Sequence, residues 1–264
     1  MAFAPPPTSP LRLLDSRWLT SGVRHLLFER GDGEPVAFLP GQFVRVQVSG
    51  GEAPEFRNYS IASPNDPGRT DAQRIELVVS MVEGGLGSAY MGALVHGDEI
   101  QATAPNGRFC LLPDDDCRRY LLLGTGTGVA PYRGMLPQLA VLAERGIRTA
   151  LLLGARSPAE QLYADEFREA AARIPGFELR FCHSRQLPES PGPQDVHAYV
   201  QDALQSFEID PERDLAFLCG NPNMVDSGFE RLKTAGLHLR RIRREKYISP
   251  SLPARVTPIG QASR

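Results

Sequence analysis

The chain has 264 residues, 42% of them hydrophobic, and 29 basic against 31 acidic side chains leave a net charge of −2. That length suits two domains, and the near-balanced charge argues against a general nucleic-acid binder. The four cysteines, Cys110, Cys117, Cys182 and Cys219, lie far apart. No metal site, iron–sulfur cluster or disulfide framework is therefore expected, in keeping with a reducing cytosol.

No apolar stretch approaches membrane-spanning length, and Met1 to Pro7 lacks a basic region followed by an apolar run. Neither a membrane span nor a signal peptide is expected, and the chain reads as cytoplasmic. Residues 1–10 read as a loose proline-rich arm. Residues 11 to about 112 read as β: strands over 18–30, 42–48, 56–63, 75–82, 98–103 and 109–112, with a short helix over 86–94. Short strands at this spacing imply an antiparallel barrel.

The pattern changes at Pro113-Asp-Asp-Asp116, which reads as a solvated interdomain turn. Strands are then predicted at 121–124, 149–154, 178–182 and 215–219, alternating with helices at 131–145, 159–173, 196–207 and 224–235. That alternation predicts a doubly wound parallel sheet. The fold class is thus α/β plus all-β, with an N-terminal domain over 1–116, a second over 117–248 and a tail over 249–264.

Three motifs carry chemistry. In Tyr120-Leu-Leu-Leu-Gly-Thr-Gly-Thr-Gly-Val-Ala-Pro131 a buried strand runs through a glycine turn into a helix. This presents bare N–H groups to an anion, or is a tight βα turn with no ligand. Arg57-Asn-Tyr-Ser-Ile-Ala-Ser63 sets a cation, a flat ring and hydroxyls close together on a strand. This suits a ring-bearing phosphate or an ordinary surface strand. Cys219-Gly-Asn-Pro-Asn-Met224 ends a late strand.

This ordered set resembles the ferredoxin–NADP reductase family, from about Pro40 to Tyr247. The resemblance implies an FAD-binding barrel followed by an NADP-binding α/β domain. It implies that Arg57, Asn58, Tyr59 and Ser60 bind FAD, with Tyr59 stacked on the flavin and Ser60 at its reactive edge. Gly85, Gly87 and Ser88 would take the flavin pyrophosphate at a helix N-terminus. Thr125, Gly126, Thr127, Gly128 and Pro131 would serve the nicotinamide dinucleotide, with Gly220, Asn221 and Met224 nearby and Cys219 beside the nicotinamide. Glu245 and Tyr247 resemble the family's terminal Glu-x-Tyr, or are ordinary residues of a last strand. Ser60, Cys219, Glu245 and Tyr247 are the implied catalytic set, and no metal is expected.

NADP(H) is favoured over NAD(H). Rossmann-type NAD sites place an acid after the second strand for the ribose 2′-hydroxyl; here Arg156 stands there. Ser184 and Arg185 resemble the family's 2′-phosphate pair, with His183 in reach. Gln194 and Val196 depart from it, because plant-type members carry Lys and Tyr there. Tyr163 is a candidate for the adenine, or a helix-surface residue. The chain also runs on past Tyr247, where plant-type members stop.

The expected function is electron transfer from NADPH through FAD to ferredoxin or flavodoxin by a monomer. The basic cluster Arg240, Arg241, Arg243, Arg244 and Lys246 is either the partner dock or a solvated face. The alternatives are a reductase component of an oxygenase system, or a non-catalytic electron-transfer or sensor subunit.

Overall fold

The computed structural model describes residues 5–48, 54–66 and 72–248. The tail over 249–264 lies outside the described residues. The first half forms a six-stranded antiparallel sheet from β1 (Thr8–Thr20), β2 (Val23–Arg30), β3 (Phe43–Gln47), β4 (Phe56–Ser60), β5 (Arg74–Ser80) and β6 (Glu99–Thr103). The order is β4-β3-β6-β1-β2-β5, and an antiparallel bridge between Ile61 and Leu77 closes it into a barrel. Every second residue points inward, so Leu11, Leu13, Leu26, Phe28, Val44, Val46, Ile75 and Leu77 fill one core.

Helix α1 (Leu86–Ala93) covers one end of the barrel. Its carbonyl end is held by buried Arg24, which donates to the carbonyls of Met91, Gly92 and Leu94 at 3.1, 2.8 and 2.8 Å. A guanidinium there satisfies carbonyls that lack helical partners and complements the helix dipole.

The second half alternates β7 (Arg119–Thr125), α2 (Ala130–Glu144), β8 (Arg148–Ala155), α3 (Ala164–Arg173), β9 (Phe177–His183), β10 (Asp195–Val196), α4 (Val200–Ala203), β11 (Asp214–Gly220), α5 (Pro222–Thr234) and β12 (Ile242–Lys246). All six strands are parallel, in the order β10-β9-β8-β7-β11-β12. The order reverses between β7 and β11, and such a reversal opens a crevice at the carboxyl ends of the strands. Tyr120 and Leu122 of β7 face α2, α3 and the barrel, while Leu121 and Leu123 face α4 and α5. Burial on both faces explains why β7 reads as an unbroken apolar run.

Several sequence expectations are corrected. The arm over 1–10 already enters β1 at Thr8, which pairs with Thr103. The strand expected over 18–30 is a hairpin turned at Ser21–Gly22. Residues 109–112 are irregular. The helix expected over 196–207 shrinks to α4 and a following 3-10 turn, because Asp195 and Val196 join the edge of the parallel sheet. Asp115 is not solvated: its side chain is 5% exposed and takes up Arg243, Tyr120 and the Leu112 N–H.

The two halves meet at α2. Buried Arg133 donates to Ala62 O at 2.9 Å and to Glu166 Oε2 at 2.6 Å, and pairs with Glu76 of β5. Its guanidinium lies 4.7 Å over the ring of Tyr163. The Tyr163 hydroxyl meets His25 Nδ1 of β2 at 2.7 Å. One residue on, a Cβ at Gly134 would stand 3.1 Å from Ser63 O, so the helix and the barrel edge touch backbone to backbone. Tyr163 is therefore a junction residue, held at a left-handed φ of 53°, and not an adenine platform on a helix surface. Replacing Arg133 by Ala leaves Glu76 and Glu166 without their cation at a buried junction. We expect a loss of about 2–4 kcal/mol of unfolding free energy, read from urea denaturation midpoints.

Candidate active site at the junction of the two sheets

A cleft of about 820 Å³ opens between β4, β5, α1 and the end of β12. Its size lies within the roughly 300–1,000 Å³ of small-molecule sites. Arg57, Asn58, Tyr59 and Ser60 line it from the barrel, Gly84 to Ser88 from the turn into α1 and its first residues, and Thr127, Glu245 and Tyr247 from the second half.

Strand alternation sends Tyr59 and Ser60 in opposite directions, and the cleft wraps both. Tyr59 packs against the barrel core beside α1, and burial pushes its phenol up to about 12. A Cβ on Gly87 would fall 2.7 Å from the Tyr59 hydroxyl and 3.1 Å from Arg57 Cγ. Only a glycine lets the start of α1 come this close. That start lines the cleft and carries no side-chain cap, which leaves its first backbone N–H groups free to meet an anion. Ser88 Oγ accepts from the Val82 N–H at 2.9 Å and donates to Ser80 O at 3.2 Å, so it shapes the loop leading into α1. Arg57 stands at the rim, paired with Glu55 at 2.9 Å. A bare helix terminus, a glycine cradle, a flat ring and a rim cation together fit a flavin dinucleotide.

Ser60 points toward the parallel sheet, where the Tyr247 hydroxyl donates to its Oγ at 2.5 Å. The same hydroxyl contacts the Cys219 thiol. One chain of polar atoms thus runs from β4 through Tyr247 to β11. β11 and β12 are in register with Cys219 opposite Glu245, and the Tyr247 N–H donates to Gly220 O at 2.8 Å. Cys219 is fully buried and its thiol is pushed well up by desolvation, so it stays protonated. Burial lifts the Glu245 carboxyl to about 7.

The glycine turn after β7 stands next to this chain. Gly126 takes a φ of 54°, Gly128 packs where a Cβ would sit 2.3 Å from Cys219 O, and α2 begins without a side-chain cap. Thr125 Oγ1 accepts from the Asn221 N–H at 2.9 Å, and Thr127 Oγ1 meets Ser80 Oγ at 3.2 Å. Thr125 and Thr127 thereby tie the turn to β11 on one side and the barrel on the other. Pro131 is buried at the helix start, where its fixed backbone angle suits the first turn.

Other sequence candidates are corrected. Met224 is 5% exposed and packs in the core beneath α5, away from the cleft. Asn221 is the N-cap of α5, its Oδ1 taken by the Asn223 N–H at 2.9 Å. His183 is buried and bonded to Asp195 Oδ1 at 2.8 Å, which makes it a strut between β9 and β10. In the basic cluster, Arg243 is clamped by Asp115 and the Phe217 ring, Arg244 lies 3.7 Å over Phe229, and Lys246 pairs with Asp226 at 2.7 Å. Arg241 donates to Asp116 O and Asp214 O. These contacts tie four of the five side chains to the fold, while Arg240, Arg244 and Lys246 remain exposed.

Arg156, Ser184 and Arg185 do come together. Ser184 N–H donates to Ala155 O at 3.0 Å and Arg185 N–H to Arg156 O at 2.9 Å, at the carboxyl ends of β8 and β9. Arg156 also pairs with Glu160 at 3.3 Å. Sequence reasoning missed Tyr199, 60% exposed at the start of α4, whose neighbour Val200 packs over Gly154 at the end of β8. The proline-bearing stretch over 188–193 displaces it from the spacing at which an aromatic was sought.

The Glu245 carboxyl has a consequence for stability. Its folded value lies above the unfolded value of 4.5, so between about 4.5 and 7 the folded chain binds more protons than the unfolded one. Stability contributed by this group falls as pH rises through that window, and the penalty persists in full above it. Denaturation of the cofactor-free protein should show Glu245→Gln gaining on the parent across that window and more stable above pH 7.

Residues 10–110 match the oxidoreductase FAD-binding domain family and residues 122–228 the oxidoreductase NAD-binding domain family. The chain is 35% identical over 220 residues to ferredoxin–NADP reductase B of Sorangium cellulosum, covering 81% of this chain and 86% of that protein. It is 34% identical over 254 residues to the reductase subunit of an aromatic O-demethylase of Amycolatopsis sp., covering 92% and 72%. A ferredoxin–NADP reductase from Neisseria gonorrhoeae, solved with bound FAD and NADP, shares the fold with a TM-score of 0.76 at 22% identity, covering 90% of this chain and 98% of that one. With a closed barrel, a parallel sheet and a cleft between them that fits a flavin, the chain belongs to the ferredoxin–NADP reductase family of FAD-dependent oxidoreductases.

Proposed function

We propose that this flavoprotein takes a hydride from NADPH and passes the electrons singly to a one-electron carrier protein. The observation that most supports this is the polar chain Ser60–Tyr247–Cys219, which joins the barrel to the end of β11 across the cleft. Arg57, Asn58, Tyr59, Ser60 and the backbone of Gly85 to Ser88 would hold FAD, which when bound accepts hydride and releases electrons one at a time. The turn from Thr125 to Gly128 would take the nicotinamide dinucleotide pyrophosphate.

The protein's own part is positional and electrostatic. Tyr247 closes the cleft through its bond to Ser60, and that bond must open to admit the nicotinamide. Cys219, a protonated thiol packed at the strand end, shapes the pocket without acting as a nucleophile. Glu245, lifted to about 7, can hold or release a proton near neutral pH at the cleft wall. Arg156, Ser184 and Arg185 would bind the 2′-phosphate, and exposed Tyr199 would give the adenine a flat surface. These residues favour NADP over NAD.

The carrier is a ferredoxin, a flavodoxin or an oxygenase component. The Sorangium relative supports the first and the Amycolatopsis subunit the last. Both readings use the same cleft and differ only in the acceptor. The monomeric state and the cytoplasmic setting belong to the same proposal. No helix among the described residues is long and apolar enough to cross a membrane.

Stopped-flow reduction with NADPH and NADH, then reoxidation by each class of carrier, tests this reading. A purified protein that is colourless and cannot be reconstituted with FAD overturns it. Arg185→Ala and Arg156→Ala should each lower kcat/KM for NADPH about 10- to 100-fold and leave NADH nearly unaffected. Gly87→Val drives a side chain into the Tyr59 hydroxyl, and FAD dissociation titrations should show affinity weakened about tenfold or more.

A further inference from the structure

Arg243 and Glu245 share one face of β12, since alternate residues of a strand point the same way. Arg243 and Glu245 are two residues apart, about 7 Å along the strand. A guanidinium so placed would ordinarily turn to the carboxylate. Instead, both of its arms are taken by Asp115, Nη1 also donates to Cys110 O at 2.7 Å, and its plane lies 5.0 Å over the Phe217 ring. Asp115 is itself fixed by the Tyr120 hydroxyl at 3.1 Å and the Leu112 N–H at 2.9 Å. Four donors therefore converge on one buried carboxylate in the segment joining the two halves.

Among the described residues, the other groups coupled to Glu245 carry no charge at neutral pH. They are the Cys110 thiol beyond β6, the Cys219 thiol of β11, and the phenols of Tyr132 on α2 and Tyr247, with Ser60 of β4 beyond. Burial pushes each thiol and phenol up, so among the described residues Arg243 is the one cation on this face of β12. Lys246 points to the opposite face, where Asp226 takes it.

We infer that Asp115 is a positioning residue for the cleft: by binding and neutralising Arg243 it keeps a guanidinium off Glu245, so that Glu245 stands there as a carboxyl with no cation beside it. The inference rests on the reading of Glu245 as a proton-holding group of the cleft. Burial without a counter-charge is what carries that carboxyl to about 7. A full positive charge freed at this separation would favour the carboxylate and draw the value back toward that of an exposed acid. The acidic turn between the two halves thus acts on the cleft without touching it.

The test uses the FAD-loaded protein. Infrared difference spectra across pH follow the protonated carboxyl band that Glu245→Gln removes, and stopped-flow reduction by NADPH gives the pH profile. Asp115→Asn should lower the Glu245 midpoint by about one to two pH units in both readouts. The double variant Asp115→Asn with Arg243→Met removes both charges and should return the midpoint to the parent value, although the protein is less stable. An unmoved midpoint in Asp115→Asn, or a double variant as low as the single one, overturns the inference. If Asp115→Asn does not fold, the double variant decides alone: an unchanged midpoint supports the inference. A raised midpoint overturns it, because Arg243 would then already have been acting on Glu245. An infrared midpoint that shifts as expected, with no limb in the rate profile that Glu245→Gln removes, upholds the positioning by Asp115 and overturns the proton-carrying role of Glu245.

Discussion

The guanidinium of Arg133, shut between the carboxylates of Glu76 and Glu166 and over the ring of Tyr163, fixes how the barrel meets the parallel sheet. A buried cation of this kind tolerates few arrangements, because each carboxylate it loses leaves an uncompensated charge in a poorly solvated place. It sits on α2, two residues after Pro131 and one turn from the glycine turn. The helix that begins at the glycine turn is therefore the same rigid body that grips the barrel. Gly134 against Ser63 O and Tyr163 against His25 reinforce the grip from either side.

The cleft depends on that junction. Tyr247 bonds Ser60 at 2.5 Å across a boundary between two independently built sheets, and a small rotation of one half would break it. Thr127 meeting Ser80 is a second such contact. The groups lining the cleft from both sheets are thus held in register by a charge cluster on α2. Burial around the cleft then raises thiols, phenols and a carboxyl together, which leaves its inner wall poor in fixed charge.

The charges near the cleft are managed by the backbone around it. β12 is rich in arginine, and a linear reading makes it a basic patch. Folded, Arg243 faces inward to Asp115 and Phe217, while Arg244 and Lys246 face α5. Strand alternation divides one basic run between two faces, and each face supplies its own partner.

Much of the fold was legible because it rests on local rules. Period-two alternation in the barrel strands, unbroken apolar runs in β7 and β8, and glycines at turns mark the two sheets without tertiary knowledge. Arg57 to Ser60, Gly85 to Ser88 and Thr125 to Gly128 stood out as short contiguous patterns, and the fold brings the first two and Thr127 to one cleft. Tertiary structure decided whatever depends on residues distant in sequence. Met224 looked like part of a binding turn and is core, because the helix after Asn221 turns it inward. Tyr163 and His183 looked available and are struts, because His25 and Asp195 arrive from other elements. Asp115 looked solvated and is the anchor of Arg243, some 128 residues away. A sequence states which groups a chain carries and how each segment bends; which charges are cancelled, and which carboxyl is left alone in a dry cleft, is set only when distant segments meet.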